Sequence, residues 1–218
     1  MSKGLFITFE GPDGAGKTTQ IERLTAHISK RGLPLTVTRE PGGTAIGEKI
    51  RALLLDPDHC EMDPVAEALL YAASRAQHVR EIIAPALLDG RVVVCDRFID
   101  SSLAYQGFGR KLGEKLIWEL NAPALCGVMP DLTLCVLAKP DTSLRRLAQK
   151  EGGPDRLESE NRDFFTRVYE GYRALCREYP ERMLLLDADR DIDDIAAIIR
   201  ERTDLALGGR LELRNKPV

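Results

Sequence analysis

The 218-residue sequence is poor in features that mark specialised protein classes. Its five cysteines are odd in number and widely spaced, and no Cys-x-x-Cys pair indicates zinc or redox chemistry. The thiols are therefore expected to be reduced and mostly buried. Only 12 prolines are present, and hydrophobic residues at 44% exclude collagenous and disordered chains. The composition is typical of an ordinary globular protein.

Neither charge sign predominates, and no long apolar run occurs. The 31 basic and 34 acidic residues give a net charge of -3, so no nucleic-acid partner is expected. The basic residues form short local clusters, which suit small anions. The apolar run at 5–9 is too short for a signal-peptide core or a membrane span. We therefore expect no membrane partner and a cytoplasmic location.

Apolar, β-branched runs alternate with longer stretches of helical period. Strands are predicted at 4–10, 34–39, 91–96, 132–138 and 183–187. Helices are predicted at 18–31, 45–55, 64–88, 113–126, 142–150, 161–179 and 192–207. Because the strand runs are apolar throughout, both faces of the sheet are expected to be covered by helices. The pattern predicts a doubly wound α/β fold with a parallel sheet.

The length favours one large domain, which we assign to residues 1–207. The remaining segment, 208–218, begins with a Gly-Gly pair that is expected to end the last helix. It is predicted to be a loose tail or a short terminal strand.

A glycine-rich loop follows the first predicted strand and opens a helix. It reads G-x-x-x-x-G-K-T and comprises Gly11, Pro12, Asp13, Gly14, Ala15, Gly16, Lys17 and Thr18. Its glycines let backbone amides converge on phosphate oxygens, Lys17 is expected to reach the β and γ phosphates, and Thr18 to ligate Mg²⁺. The alternative is a purely structural turn. The motif indicates a nucleoside triphosphate, but motors, switches, transporters and kinases share it.

Two further motifs offer groups for a second ligand. Arg39, in REPGGT, follows the second strand, where open parallel sheets bind ligands. In LLYAASRAQH, Tyr71 and Arg75 lie one helical turn apart, so the ring could stack on a base and the guanidinium donate to its edge. The alternatives are a solvated Arg39, a core tyrosine and a structural ion pair. His78 is interpreted as structural.

The third strand ends in Asp96 and Arg97. Asp96 is a candidate Mg²⁺ ligand, or alternatively a helix cap, and Arg97 could bridge donor and acceptor phosphates. The stretch 101–107, SSLAYQG, offers polar contacts for a sugar and a base. Residues 145–162 contain five basic residues and a Gly-Gly-Pro break, which predicts a lid over the transferring phosphates or a solvated helical hairpin.

Together these five motifs, in this order and spacing, resemble those of bacterial thymidylate kinases over about residues 4–200. The resemblance implies the nucleoside monophosphate kinase fold, with five parallel strands in the order 2-3-1-4-5. It also implies that the ATP γ-phosphate is transferred to dTMP with Mg²⁺, giving dTDP and ADP, usually by a homodimer.

The resemblance also implies roles for single residues. Residues 11–18 match the ATP phosphate loop, in which Asp13 matches the contact to the 3'-hydroxyl of dTMP. Arg39 and Arg97 match ligands of the acceptor phosphate, Tyr71 the ring that stacks on thymine, and Arg75 the donor to its 4-oxo group. Ser102, Tyr105 and Gln106 match residues that contact the base and the sugar in the family. Tyr105 is at the position that sterically excludes a ribose 2'-hydroxyl.

The sequence departs from the family pattern at two places. Gly14 and Ala15 fill the position of the P-loop arginine of some members, so the arginine is expected from the lid. The catalytic lid residue is open among Arg145, Arg146, Lys150 and Arg156, because Lys150 aligns where an arginine often stands.

The acceptor phosphate is expected to be its own nucleophile, so catalysis would be positioning and charge neutralisation without a general base. One rival is a GTP-dependent switch. Such proteins usually carry an N-K-x-D motif, and this sequence has none, which argues against that function. The others are an ATPase or assembly subunit without a small acceptor, and a kinase of another monophosphate.

Overall fold

The computed structural model describes residues 4–147 and 153–214, the last six of these by backbone only. Five parallel strands form one sheet in the order β2-β3-β1-β4-β5, as predicted. Each strand begins within one residue of its predicted start. The strands are Leu5–Glu10 (β1), Leu35–Arg39 (β2), Val92–Asp96 (β3), Leu132–Leu137 (β4) and Met183–Asp187 (β5).

Helices cover both faces of the sheet. The α-helices are Lys17–Lys30 (α1), Ala45–Leu55 (α2), Pro64–His78 (α3), Ala84–Leu88 (α4), Ile99–Ser102 (α5), Glu114–Leu125 (α6), Pro140–Leu147 (α7), Arg162–Glu178 (α8) and Ile192–Arg214 (α9). A 3-10 turn spans Pro57–His59, and π-helical segments span Val79–Ile83 and Leu103–Gly109. Among the described residues, no helix is long and apolar enough to cross a membrane.

The core has two halves, one on each face of the sheet. Phe6 on β1 packs with Phe98 and the helices of one face, whereas Ile7 and Phe9 pack with Leu24 and other residues on the opposite face. Every residue of β1 is buried, as expected of a central parallel strand. The side chains that act at the surface therefore come from the strand ends and the loops that follow them.

The predicted helix 64–88 is interrupted. Its middle, Val79–Ile83, is π-helical between α3 and α4. Pro85 lies in the first turn of α4 and has no amide hydrogen to donate, which accounts for the altered hydrogen-bond pattern before it.

The prediction for the C-terminal segment was wrong over 208–214. Helix α9 continues through the Gly-Gly pair to Arg214. A glycine costs a helix only about 1 kcal/mol relative to alanine, and the leucines and charged residues on both sides of the pair are good helix formers. Residues 215–218 lie outside the described part of the chain.

Candidate active site

The P-loop, residues 11–18, connects the end of β1 to the first turn of α1. Gly11, Gly14 and Gly16 have φ angles of 126°, 74° and 93°, which side chains rarely adopt. Within the described ranges, no side chain caps the start of α1. The amide groups of this turn and the helix dipole therefore form a binding site for an anion.

Two cations converge on the P-loop. The buried Lys17 Nζ donates to the carbonyls of Gly11 at 3.0 Å and Pro12 at 2.9 Å. Arg97 donates to the same Gly11 carbonyl and, at 2.7 Å, to the Asp13 carboxylate. Burial and the neighbouring Arg97 charge lower the pKa of Lys17. The loop thus holds two positive charges beside its anion-binding amides.

A cavity lies on one side of the P-loop, between α3, the end of β3 and the segment before α8. Tyr105 contributes a ring that lies 5.7 Å from the Arg97 guanidinium. The Tyr105 hydroxyl is buried, and it has no hydrogen-bond partner among the residues that the structure describes. Seven of the predicted ligand residues line this cavity: Asp13, Tyr71, Arg75, Arg97, Ser102, Tyr105 and Gln106.

Four carboxylates from three parts of the chain line this cavity: Asp13, Glu40, Asp155 and Glu158. Burial raises the pKa of Asp155, and the charges of Glu158 and Asp13 add to the rise. The cavity therefore combines arginines with carboxylates, and it can bind a ligand that carries both an anion and hydroxyl or ring N–H donors.

A second cavity lies on the other side of the P-loop. It is lined by Gly14, Ala15 and Gly16 together with residues that follow β4 and β5, and its volume is about 350 Å³. Val136, Ala188 and Ile192 give it an apolar wall, and two arginines flank it, Arg146 and Arg190. The P-loop therefore separates two cavities, each of which contains cationic side chains.

The comparisons with known proteins agree on one family. The family model described as thymidylate kinase matches residues 9–199. The chain belongs to the thymidylate kinase family. A thymidylate kinase of Geobacillus thermodenitrificans is 51% identical over 193 residues, which are 88% of this chain and 86% of that protein. One of Deinococcus radiodurans is 50% identical over 199 residues, 91% of this chain and 96% of that protein.

A solved structure of this family has a similar fold. The crystal structure of thymidylate kinase from Ehrlichia chaffeensis matches with a TM-score of 0.74 and 32% identity, covering 93% of this chain and 99% of that one. The resemblance stated from the motifs is thereby confirmed for the thymidylate kinase family, for the fold and for the class of ATP-dependent phosphotransferases.

Arg39 differs in position from what its motif suggested, and Arg51 lies nearer to the first cavity. Arg39 is exposed, and its Nη2 lies 2.9 Å from both oxygens of Glu48. It is not among the residues that line the first cavity, whereas Arg51 on α2 is, with Nη1 donating to the Pro41 carbonyl at 3.0 Å. The sequence around Arg51 carries no motif, and only the packing of α2 brings it to the cavity.

Arg75 is enclosed by polar partners, and one of them is the carboxylate that the alternative of a structural ion pair predicted. Its guanidinium is 1% exposed and contacts Glu40, Ser102 and Asn121, and its Cζ lies 5.2 Å from the centroid of the Phe98 ring. Glu40 adjoins the predicted Arg39, so its motif could have indicated it. Asn121 lies inside a helix, and no local pattern distinguishes it.

The lid candidates are dispersed. Arg146 donates to the Gly14 carbonyl at 2.8 Å, whereas Arg145 lies 3.5 Å from the Thr142 hydroxyl on its own helix. Lys150 lies outside the described residues. The structure thus brings one of the candidates, Arg146, into contact with the P-loop.

Arg156 is held by a buried carboxylate. Its Nη2 lies 2.7 Å from Glu67, which is fully buried, and its Nε donates to the Leu54 carbonyl at 2.8 Å. Arg110 and Gln106 donate to the same carboxylate at 2.9 and 2.8 Å. This network ties the segment before α8 to α2 and α3, and it engages the amide of Gln106.

The residues predicted to hold Mg²⁺ fit a cation of this kind. Asp96 is the last residue of β3 and pairs with Phe9 of β1 at the end of the sheet. Its Oδ1 is buried and has no hydrogen-bond partner in the described ranges. Thr18 is exposed in the first turn of α1. No group of three metal-binding side chains occurs in the described part, so phosphate oxygens and water would complete the coordination.

Glu10, at the end of β1, is a buried acid with an unusual pKa. Burial, followed by the Asp100 charge, raises its pKa from 4.5 to about 8, although hydrogen bonds from Ser101 and the Phe98 amide oppose the rise. The folded protein therefore keeps a proton that the unfolded chain loses near pH 4.5. Consequently, this group reduces stability as the pH rises from about 4.5 to 8.

We expect Glu10→Gln to remove this dependence. Glutamine has the same shape but cannot ionise. The free energy of unfolding of the variant, relative to that of the wild type, should therefore increase as the pH rises from 5 to 8. Urea denaturation at several pH values measures this, with Glu22→Gln on α1 as the comparison because Glu22 is exposed to solvent. Parallel pH curves for wild type and Glu10→Gln would contradict the assignment.

Proposed function

We propose that the protein transfers the γ-phosphate of ATP to dTMP and gives dTDP and ADP. The observation that carries this proposal is the P-loop between two cavities, with Lys17 and Arg97 bound to the loop itself. Two phosphorylated ligands that enter from opposite sides would meet at these cations. Such a meeting point is what phosphoryl transfer between nucleotides requires.

The donor would occupy the P-loop and the second cavity. The amides of residues 11–18 would hold its phosphates, and Lys17 would leave the carbonyls it now contacts to pair with the β and γ phosphates. The apolar wall of Val136, Ala188 and Ile192 and the guanidinium of Arg190 offer contacts for a flat base.

The acceptor would occupy the first cavity. Tyr71 would stack on thymine and Arg75 would donate to its 4-oxo group, while Ser102, Tyr105 and Gln106 would contact base and sugar. The unpartnered Tyr105 hydroxyl supports a polar contact with the ligand. Asp13 would accept from the 3'-hydroxyl. Arg97 would bind the acceptor phosphate. Arg51 lines the same cavity and would assist Arg97, whereas Arg39 is exposed and is not among the residues that line it.

Catalysis would rest on alignment and charge. An oxygen of the dTMP phosphate is already ionised at neutral pH, so it attacks the γ-phosphorus in line without a general base. Negative charge spreads over the three oxygens of the group in transfer, and Lys17 and the forked donor of Arg97 neutralise it. Among the lid candidates we favour Arg146, because it already contacts the P-loop at Gly14.

Thr18 and the unpartnered Asp96 would hold Mg²⁺. When bound, Mg²⁺ would neutralise charge on the donor phosphates. The protein groups orient the two nucleotides, and the segment 145–162 would close over them and exclude water.

We propose a homodimer formed by α2 and α3. These two helices pack together and expose large apolar side chains: Ile46 at 53%, Leu53 at 47%, Val65 at 38% and Leu69 at 49%. The residues are seven apart on α2 and four apart on α3, so each helix exposes them on one face. Exposed apolar side chains grouped on two adjacent helices are typical of an interface.

The change Leu69→Glu should convert the dimer to a monomer, because two carboxylates would be desolvated across the two-fold axis. Sedimentation velocity measures the change. Leu205→Glu on α9 is the matched control, since Leu205 is 61% exposed and lies on another helix. A Leu69→Glu variant that sediments as a dimer contradicts this interface, and a monomeric wild type contradicts the homodimer.

A coupled assay of ADP release across dTMP, dUMP, dCMP, dAMP and dGMP tests the proposed reaction. We expect release to require an acceptor and to be fastest with dTMP. Steady ATP hydrolysis without an acceptor would favour an ATPase, and faster turnover of another monophosphate would favour a different kinase. Activity with GTP alone, without any acceptor, would favour a switch protein.

A further inference from the structure

A buried row of polar side chains connects β2 to the first cavity. The Thr38 hydroxyl lies 2.6 Å from His78 Nε2, and His78 Nδ1 lies 2.9 Å from Glu40 Oε1. The other carboxylate oxygen, Oε2, accepts from Arg75 Nε at 2.9 Å and lies 2.8 Å from Nη2. His78 is 0% exposed and Arg75 is 1% exposed, so water does not compete for these contacts.

These contacts leave Arg75 little freedom. A guanidinium has five N–H groups. Two of them are directed to Glu40, and Nη1 donates to Ser102 at 3.1 Å and to Asn121. One N–H, on Nη2, has no partner in the part of the chain that the structure describes. Arg75 therefore offers a single donor in a fixed orientation to a ligand in the cavity that it lines.

The orientation of that donor depends on Glu40 and hence on His78. Because His78 engages Oε1, only Oε2 is left for Arg75. Without His78 the carboxylate could rotate and offer both oxygens to the guanidinium, as isolated carboxylate–arginine pairs do. The remaining N–H would then turn away from its present direction. Thr38 in turn holds the imidazole ring from its other nitrogen.

We propose that His78 is a positioning residue for substrate selection. Together with Thr38 it holds Glu40 so that Arg75 directs one N–H to a carbonyl oxygen on the acceptor base. This inference rests on the proposed function and adds a basis for its substrate selection. A single fixed donor favours a 4-oxo pyrimidine such as that of dTMP and opposes the 4-amino group of dCMP.

Steady-state kinetics with dTMP and dCMP test the inference. We expect His78→Leu to raise the KM for dTMP about tenfold or more, since a charge-assisted hydrogen bond is misdirected, and to lower the dTMP-to-dCMP ratio of kcat/KM by a similar factor. The KM for ATP should change less than about twofold. His78→Asn should restore much of the loss, because its amide can replace Nδ1 and donate to Glu40.

Two further variants separate positioning from folding. Thr38→Val removes only the hydroxyl, and valine suits a strand, so it should fold normally and shift KM for dTMP in the same direction by about threefold. Gln77→Leu on the same helix is the matched control, since Gln77 pairs with Glu81 away from this row. Its KM should equal that of the wild type.

The outcomes separate the two proposals. If the wild type phosphorylates dTMP but all three variants of the row keep its KM and its selectivity, the role of His78 is overturned while the proposed function stands. If the variants change KM for dTMP and KM for ATP equally, the effect is structural and the role is also overturned. If the wild type neither binds nor phosphorylates dTMP, both proposals fail.

Discussion

Replacing Arg97 with alanine is expected to lower kcat by about three orders of magnitude, because the variant loses the forked donor at the point where both nucleotides are proposed to meet. In the structure Arg97 is half-buried, lies against the Tyr105 ring and donates to the P-loop and to Asp13. In the proposed complex ATP would contact mainly residues 11–18, so its dissociation constant should stay within about threefold. Rapid-quench kinetics and ATP titration measure the two effects.

The matched control is Arg173→Ala. Arg173 is exposed on α8, where it pairs with Glu170 on the same helix, so its loss removes one positive charge far from the phosphates. Arg97→Lys adds a second comparison: a point charge without the planar fork should recover part of the rate. Near-normal turnover in Arg97→Ala would exclude the catalytic role, and a parallel loss of ATP binding would reassign Arg97 to the donor site.

Replacing Gly11 with alanine is expected to destabilise the fold by about 3–5 kcal/mol, the sum of left-handed backbone strain and overpacking. The φ angle of Gly11 is 126°, and an added Cβ would lie 2.0 Å from the Val136 carbonyl oxygen. That carbonyl belongs to β4, which pairs with β1 on one side and β5 on the other, so it cannot move away. ATP binding should be lost, since the loop would have to shift.

Gly16→Ala is the matched comparison in the same loop. Gly16 also has a positive φ of 93°, but in the described chain no atom beyond its own neighbours in sequence lies within 4 Å of the position that an added Cβ would occupy. Only backbone strain remains, and the expected loss is about 1–2 kcal/mol. Denaturant unfolding of both variants measures the difference. Equal losses of unfolding free energy in the two variants would show that the close contact with Val136 does not destabilise the protein.

Parallel strands were the most predictable part of this fold. β1 and β4 are buried along their whole length, so their sequences are predominantly apolar without the alternation of a half-exposed strand. The π-helical segments were not predicted, since they share the periodicity of an α-helix in sequence. The end of α9 was mispredicted because one weak local signal, the Gly-Gly pair, opposed several good helix formers.

The candidate site also contains residues that the sequence predicted and residues that it did not. The P-loop and the Asp96-Arg97 pair were found from sequence because each is a contiguous motif next to a strand end. Arg51 and Asn121 have no such signal, and no motif shows that Thr38, His78 and Glu40 are in contact. Their positions depend on how α2, α3 and α6 pack, which is decided by contacts between residues far apart in the chain.

The amino-acid sequence alone was sufficient to derive the sheet, the phosphate loop and the family, because hydrophobic periodicity and short motifs are local properties of a chain. Only the folded structure showed that the loop separates two cavities, that Arg39 lies outside the first of them, and that Glu40 is shared between Arg75 and His78. These facts concern distances between residues that are remote in sequence. Packing of the helices on the sheet determines them.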